Sequence, residues 1–488
     1  MMKMLLSVGI LLLVLGGCQP ENSETEAVGE ALPNVLLIVV DDQGFADMST
    51  IGRLEDVETP NIDRLAAQSV RFTNAYATSP ICSPSRAGIL TGSYHQRWGT
   101  WWYGGPGIHD DNYQTIAELL RDQGYATGYI GKVHYGAHDS DTTNRSFPLN
   151  HGFDYYFGHT SARKHYLIHN DEKEEAFMAE KQAHERQGQS LRQQALWENT
   201  NRVDTMTFST ELFGIKACKY IETHQEEPFF LQLSFNAVHN FTHQLPEEYL
   251  NQHNLNGYHD WDPATEDYYE WYESGRKPNN PEGRAHYLGQ LHYLDQEIGR
   301  VLKCLDSAGI AENTLIVYVS DNGGSTPIYA DNTPLRGSKY LLYEGGIRVP
   351  MMFSFPGRFQ AGIVNETNMV SQLDILPTVL TAANVEPPTQ IDGFDLTALL
   401  EGSDQSVAHD TLIWDTGHET AVRAGKWKLK TAASNEHAIY EMVELELGEF
   451  LYDLESDPGE SRNVADQYPE VMSKLQQAHE RWRDEMVD

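Results

Sequence analysis

Four short apolar runs, each ending in residues capable of chemistry, constrain this chain more than any other feature. Val35 to Val40 runs into Asp41-Asp42-Gln43-Gly44, and Ala126 to Ile130 into Gly131-Lys132-Val133-His134. Phe229 to Phe235 runs into Asn236-Ala237-Val238-His239, and Leu315 to Val319 into Ser320-Asp321-Asn322-Gly323. Apolar runs of this length, with no polar alternation, read as strands buried on both faces. Amphipathic helical stretches separate them. That alternation predicts an α/β fold with a large, mainly parallel sheet sandwiched by helices. In such sheets ligands bind beyond the carboxyl ends of the strands, so the four polar tails are expected to share one edge and one pocket.

The helices carry their own signals. Thr59-Pro60 opens one, with Thr59 as cap, Pro60 at the first position and Ile62, Leu65, Ala66 and Ser69 on one face. Thr115 to Asp122 makes a short helix with Ile116, Leu119 and Leu120 inward, and residues 205–224 another with Phe208, Leu212 and Ile215 toward the core. The clearest spans 284–306, where Leu288, Leu291, Asp295, Ile298, Val301, Leu302 and Leu305 recur at helical spacing. After about residue 405 the texture changes. Residues 421–430 read as a hairpin, Phe450 to Leu454 as a strand and 468–485 as a closing amphipathic helix. A catalytic domain over 32–405 and a small antiparallel sheet plus helix over 406–488 follow. The segments 160–204 and 251–283 interrupt the rhythm and are read either as substrate rim or as solvated decoration.

The N-terminus is of a different kind. Lys3 and the apolar run Leu5 to Leu15 form a signal peptide over residues 1–17, too short to cross a bilayer. The ending Leu15-Gly16-Gly17-Cys18 resembles a lipoprotein cleavage site, with Cys18 lipidated and the chain anchored to a bacterial outer membrane; a plain secretory signal is the alternative. Residues 18–31 are polar and read as a flexible tether. With 35 basic and 71 acidic residues the chain carries a formal charge of −36, which argues against a nucleic-acid partner. Of the four cysteines, only Cys218 and Cys304 could pair if Cys18 and Cys82 are modified; each falls in a helical pattern where a small buried residue is the expected role, so no disulfide framework is implied.

Cys82 is the remaining cysteine. It heads Cys82-Ser83-Pro84-Ser85-Arg86, followed by Ala87-Gly88-Ile89-Leu90-Thr91-Gly92, which reads as the first turns of a helix. At the strand ends, Asp41, Asp42, Asp321 and Asn322 form an all-oxygen donor set suited to a hard divalent cation such as Ca²⁺ or Mg²⁺ rather than zinc.

The cysteine motif resembles the formylglycine signature of the type I sulfatases, within the alkaline phosphatase superfamily. The resemblance extends through Asn34 to Asp42, Gly131-Lys132-Val133-His134-Tyr135-Gly136, Gly152-Phe153-Asp154 and Ser320-Asp321-Asn322-Gly323. It continues through Asn332 to Lys339, Tyr343 to Pro350 and Leu451-Tyr452-Asp453-Leu454. It implies that a formylglycine-generating enzyme oxidises Cys82 to an aldehyde whose hydrate attacks sulfur. Asp41, Asp42, Asp321, Asn322 and the modified Cys82 would hold Ca²⁺, and Arg86 would position the hydrate. Lys132 and Lys339 would bind sulfate oxygens. His134 would take the proton that lets the covalent sulfate leave, and His239 would be the general acid. Val238 stands where the family commonly has proline, so His243 is a second candidate for that acid; otherwise it belongs with His95 and Arg97 in the substrate rim. Trp101, Trp102 and His109 are further rim candidates, since aromatic faces stack on sugar rings.

The reaction implied is hydrolysis of sulfate esters in a sulfated poly- or oligosaccharide. The alternatives are a phosphodiesterase or phosphonate monoester hydrolase using the same nucleophile, and a glycan-binding lipoprotein without turnover.

Overall fold

The computed structural model describes residues 31–108, 112–136, 141–160, 166, 196–203, 205, 207–256, 265, 280–404, 409–435 and 445–487. The signal peptide, nearly all of the tether, His109 and most of the two interrupting segments lie outside the described residues, as does the 405/406 boundary. Residues 32–488 form one compact unit, so the C-terminal sheet belongs to the same body as the main sheet.

The main sheet has ten strands. In chain order they are β1 (Asn34–Val40), β2 (Val70–Phe72), β4 (Ala126–Lys132), β5 (Tyr155–His159), β6 (Leu196–Glu198), β7 (Asn201–Val203), β8 (Phe229–Ser234), β9 (Thr314–Ser320), β10 (Met351–Ser354) and β11 (Ile363–Asn365). A separate two-stranded pair joins β3 (Ala75–Tyr76) to β12 (Val370–Ser371). The spatial order of the ten is β11-β2-β10-β9-β1-β8-β4-β5-β6-β7. The five central strands, β9 to β5, run parallel, as expected from their apolar content, while antiparallel pairs flank them. All seven residues of β1 are buried. Val35, Leu37 and Val39 enter one apolar cluster and Leu36, Ile38 and Val40 the other, because successive side chains point to opposite faces.

Helices cover both faces. On one lie α2 (Cys82–Thr91), α3 (Ile116–Arg121) and α8 (Ile375–Ala382); on the other lie α1 (Pro60–Ala66), α4 (Ser209–His224) and α6 (Gly283–Ala308), with α5 (Glu247–His253) and α7 (Glu344–Ile347) as short pieces between strands. Two helix expectations need correction. Thr59 precedes α1 but makes no capping bond; Asp295 of α6 accepts instead from the N–H groups of Asn61 and Ile62, both at 2.9 Å. Ile215 is 51% exposed, because the buried face of α4 is Phe213, Ala217 and Ile221. That face packs along α6, where Cys218 and Cys304 form a disulfide with a Cα–Cα distance of 5.7 Å. Each cysteine fits its own helix as a small residue; only the packing of the two helices shows the pair.

The C-terminal sheet is antiparallel, ordered β13 (Thr411–Asp415), β14 (Glu419–Ala424), β15 (Trp427–Ala432) and β16 (Gly448–Asp453), and the closing helix α9 (Pro469–Val487) packs on it. Gly425-Lys426 makes the expected hairpin turn between β14 and β15, with Gly425 at φ 56°.

Candidate active site

Adjacent parallel strands bring the polar tails together. Val40 pairs with Ser320, Val39 with Ser234 and Gly131 with Ser234, so Asp41, Asp321, Lys132 and the segment toward His239 leave one sheet edge. Gly131, at φ 111°, permits this closeness: a Cβ there would lie 1.9 Å from the Ser234 carbonyl oxygen. Asp42 also adopts a left-handed conformation, φ 59°, turning the chain sharply between the two carboxylates.

Cys82 begins α2, a helix buried along its whole length, and is itself 2% exposed. Its Sγ lies 3.0 Å from Lys339 Nζ, which also donates to Asp42 Oδ1 and Oδ2 at 2.6 and 2.8 Å. Lys132 Nζ contacts Asp41 Oδ2. Arg86, one turn along α2, donates from Nε to Asp321 Oδ2 at 2.7 Å and from one terminal nitrogen to the Lys132 carbonyl and Ser234 Oγ at 2.9 and 2.6 Å. Helix α2 and three strand ends are thereby laced together through buried polar and charged groups.

The carboxylates behave differently. Burial would raise Asp41, but Lys132, His239, Arg86 and Lys339 together hold it well below the usual range. Asp42 is pushed up to about 6 by burial and by Asp41 and Asp321, against the pull of Lys339. Burial raises the Cys82 thiol to about 12 despite Lys132 and Lys339, so the unmodified side chain stays protonated. His134 is driven well below 6.5 by burial and by Lys132 and Arg86. It is therefore neutral near pH 7, and its Nδ1 is buried without a hydrogen-bond partner.

Asp41, Asp42, Cys82 and His239 each offer a ligand atom within 4.8 Å of one another, a buried group that could hold a metal ion. Asp41 Oδ1 and Asn322 Oδ1 are buried with no hydrogen-bond partner. Two orphaned hard oxygens beside a second carboxylate fit a divalent cation. Asp321 is more engaged than the sequence suggests: Oδ1 accepts from the N–H groups of Asp42 and Asn322 at 3.2 and 2.9 Å, and Oδ2 is taken by Arg86. Asn322 uses its amide nitrogen on Asp42 Oδ1 at 2.8 Å. His239 stands in the group itself, its Nε2 3.7 Å from Asp42 Oδ2.

The three rim candidates have partners of their own. His95 is 1% exposed, with Nδ1 2.5 Å from the Thr100 carbonyl and Nε2 3.3 Å from that of Thr78, and burial lowers it to about 4. Arg97 forms a two-point pair with Asp392 at 2.8 and 2.5 Å. His243 is 4% exposed and lowered by burial to about 3. His95 and His243 are thus buried, while Arg97 is half-buried, its side chain 28% exposed. Trp101 and Trp102 are half-buried, the former beneath Arg483 at 5.4 Å.

One residue escaped sequence reasoning altogether. Gln372, fully buried, accepts from the Thr78 N–H at 3.0 Å, lies 2.5 Å from Ser85 Oγ and donates to the carbonyls of Ser320 and Asp321 at 2.7 and 3.0 Å. It clips the approach to Cys82 onto the end of β9. A lone glutamine fifty residues beyond that strand carries no spacing signal.

Comparison with known proteins matches this arrangement. A family model described as sulfatase fits residues 33–385, and one described as N-sulphoglucosamine sulphohydrolase, C-terminal, fits residues 338–485. The N-acetylgalactosamine-6-O-sulfatase of Bacteroides thetaiotaomicron is 29% identical, covering 95% of this chain and 95% of its own length. Human arylsulfatase A is 28% identical over 91% of this chain and 86% of its own. The crystal structure of Ps i-CgsB in complex with k-i-k-neocarrahexaose superposes with a TM-score of 0.75 at 26% identity, covering 93% of both chains.

Proposed function

The chain belongs to the sulfatase family, and from that premise we propose that it removes sulfate from a sulfated poly- or oligosaccharide through a formylglycine made at Cys82 beside a calcium ion. It is a sulfuric ester hydrolase by family. The saccharide part draws on relatives named as N-acetylgalactosamine 6-sulfatases and on a neighbour in complex with k-i-k-neocarrahexaose. The observation that carries the reading is the buried convergence of Cys82 Sγ, Lys339 Nζ at 3.0 Å and the acidic group around Asp42.

A thiol held at about 12 is a poor nucleophile at neutral pH, so the site as encoded calls for conversion of Cys82. A formylglycine at Cys82 would supply the hydrated aldehyde that attacks sulfur. A hard cation, if bound, would supply positive charge there, and Asp41, Asp42 and Asn322 would be its oxygen donors, with Asp321 behind them and His239 alongside. Lys132 and Lys339 place ammonium groups where the non-bridging sulfate oxygens accumulate charge. The N-terminus of the ten-residue helix α2 adds its dipole at the same point. Arg86 holds the end of β4 and Asp321 in fixed relation to Cys82. Neutral His134 can accept the proton whose removal frees sulfate, and His239 can donate one to the leaving oxygen.

Maturation by a formylglycine-generating enzyme, export and lipid attachment at Cys18 to the outer membrane complete the proposal. The apolar run before Cys18 supports export, as does the Cys218–Cys304 disulfide, a bond of oxidising compartments. Among the described residues no helix is long and apolar enough to cross a membrane.

Peptide mass analysis of protein from its native host tests both modifications; an unmodified thiol at Cys82 sinks the catalytic reading, and an unacylated Cys18 sinks the anchor. Turnover of an aryl sulfate is expected to exceed that of an aryl phosphodiester by orders of magnitude, and the reverse preference would establish the phosphodiesterase alternative.

A further inference from the structure

We infer that the C-terminal antiparallel sheet is a positioning element for Lys339, acting through two buried lysine–glutamate pairs built on β15. The inference deepens, and rests on, the reading of Lys339 as a sulfate-binding group.

Lys339 sits on an irregular segment, residues 336–343, leading into α7. Two N–H groups at the end of that segment are taken by carboxylates of the C-terminal region. Leu342 N–H donates to Glu419 Oε2 at 3.1 Å, and Glu344 N–H donates to Glu460 Oε2 at 2.6 Å. Each carboxylate is held on its other oxygen by a lysine: Lys430 Nζ lies 2.6 Å from Glu419 Oε1, and Lys428 Nζ lies 2.8 Å from Glu460 Oε1 and 3.0 Å from Glu344 Oε1. The side chains of these two lysines are fully buried. Lys428 and Lys430 stand two apart on one strand and so share a face. Arg336 adds a bond to the Glu460 carbonyl at 3.0 Å. On its other flank the segment is tied to the site: Tyr340 N–H donates to the Pro80 carbonyl at 2.8 Å, and Lys339 N–H to that of Gly324 at 3.1 Å.

Packing alone does not call for this construction. Apolar residues of similar volume usually replace a buried ion pair at no loss of stability. What a carboxylate adds is a second oxygen, and here both pairs spend it on a loop N–H. A lysine side chain is a charge on a flexible stem, so it delivers that charge no more accurately than its backbone is held.

The test combines hydrogen exchange with a double-mutant cycle in the mature, formylglycine-bearing enzyme. In Glu419→Ala the Leu342 amide is expected to lose protection. With an aryl sulfate, kcat/KM is expected to fall about tenfold, mostly through KM, and competitive inhibition by free sulfate to weaken alike. In a Lys339→Ala background the same substitution is expected to change kcat/KM less than about twofold, since the group being positioned is gone. Glu419→Gln is the milder variant should Ala fail to fold, and the same non-additivity is expected. An equal loss in both backgrounds, or a Leu342 amide that stays protected, overturns the inference. If Lys339→Ala leaves sulfate affinity intact, the assignment of Lys339 itself fails, and amide exchange still reads the clamp separately.

Discussion

Among the described residues the protein buries lysine–carboxylate pairs in two places, and the contrast between them separates a site from a scaffold. In the C-terminal region every carboxylate oxygen has a cation or a donor beside it. Glu419 and Glu460 each accept a backbone N–H on one oxygen and face a lysine on the other, in charge contacts of 2.6 and 2.8 Å that are not aligned hydrogen bonds, and Glu344 places one oxygen on Lys428 and the other 2.7 Å from the Tyr76 hydroxyl. At the carboxyl edge of the main sheet some polar atoms have neither. Lys132 and Lys339 pair with Asp41 and Asp42, yet Asp41 Oδ1, Asn322 Oδ1 and His134 Nδ1 stay buried without hydrogen-bond partners. Folding selects closed networks because an orphaned polar group costs about 1–3 kcal/mol. Open ones persist where a ligand completes them.

The largest expected effect breaks the comparison if it goes the wrong way. Lys428→Met leaves two carboxylates buried without their cation and is expected to lose about 3–5 kcal/mol of stability, whether or not calcium is present. Asp42→Asn is expected to behave oppositely. It replaces a carboxyl already raised to about 6 with a neutral isostere whose amide oxygen can still accept from Lys339, so at pH 7 the chelated protein should lose much less stability than Lys428→Met does. What it should lose is the stabilisation by calcium that the proposed site implies, about 2.7 kcal/mol at a hundredfold excess over Kd, seen as a rise in Tm. Thermal unfolding with chelator and with calcium reads both. If calcium rescues Lys428→Met, or Asp42→Asn keeps its calcium response, the open and closed networks are not distinct.

A smaller effect sharpens the electrostatic half of the contrast. The folded-state pKa of Asp42 is raised from 3.8 to about 6 by burial and neighbouring carboxylates, so between those values the folded protein binds more protons than the unfolded chain. Ionising Asp42 therefore costs stability as pH rises through that window. Relative to Asp42→Asn, the chelated protein should lose stability from about pH 4 to pH 6, and calcium should abolish the difference by favouring the carboxylate. Glu460, raised by burial to about 7, should contribute the same sign at higher pH with no response to calcium. Urea midpoints across this range measure both; a calcium-independent Asp42 contribution would remove that carboxylate from the cation site.

The two networks were not equally legible in the sequence. Strand tails at Asp41, Lys132, His239 and Asp321 could be read because each follows a continuous apolar run, and parallel pairing then fixes their company. Cys82 and Arg86 are one turn apart on a helix, a local relation. The C-terminal clamp joins Glu344 to Lys428 and Glu460 across 84 and 116 positions, and nothing in an alternating strand distinguishes a buried lysine from a solvated one. Gln372 and the capping of α1 by Asp295 are hidden for the same reason, and the Cys218–Cys304 pair, open as a possibility, is decided in the same way: each depends on which element lies beside which. Ile215 was misplaced because two helical faces of similar apolarity compete, and the packing of α4 on α6 decides between them.

His95 supplies the smallest effect and tests where the site ends. Its position just beyond the nucleophile helix suggests a substrate rim, but the ring is enclosed between the carbonyls of Thr100 and Thr78 and lowered by burial to about 4. A histidine depressed in the folded state stabilises above its unfolded pKa, and that stability is lost as pH falls from about 6.5 toward 4, where the unfolded chain binds the extra proton. His95→Gln should therefore flatten the acid limb of the stability profile by up to one proton while leaving KM for a sulfated saccharide unchanged. A rise in KM of about tenfold with an unaltered stability profile would return His95 to the rim, since that much binding energy, about 1.4 kcal/mol, requires contact with the substrate. A flattened profile with unchanged KM places it with Lys428 and Glu460, among residues whose buried polar groups serve the fold.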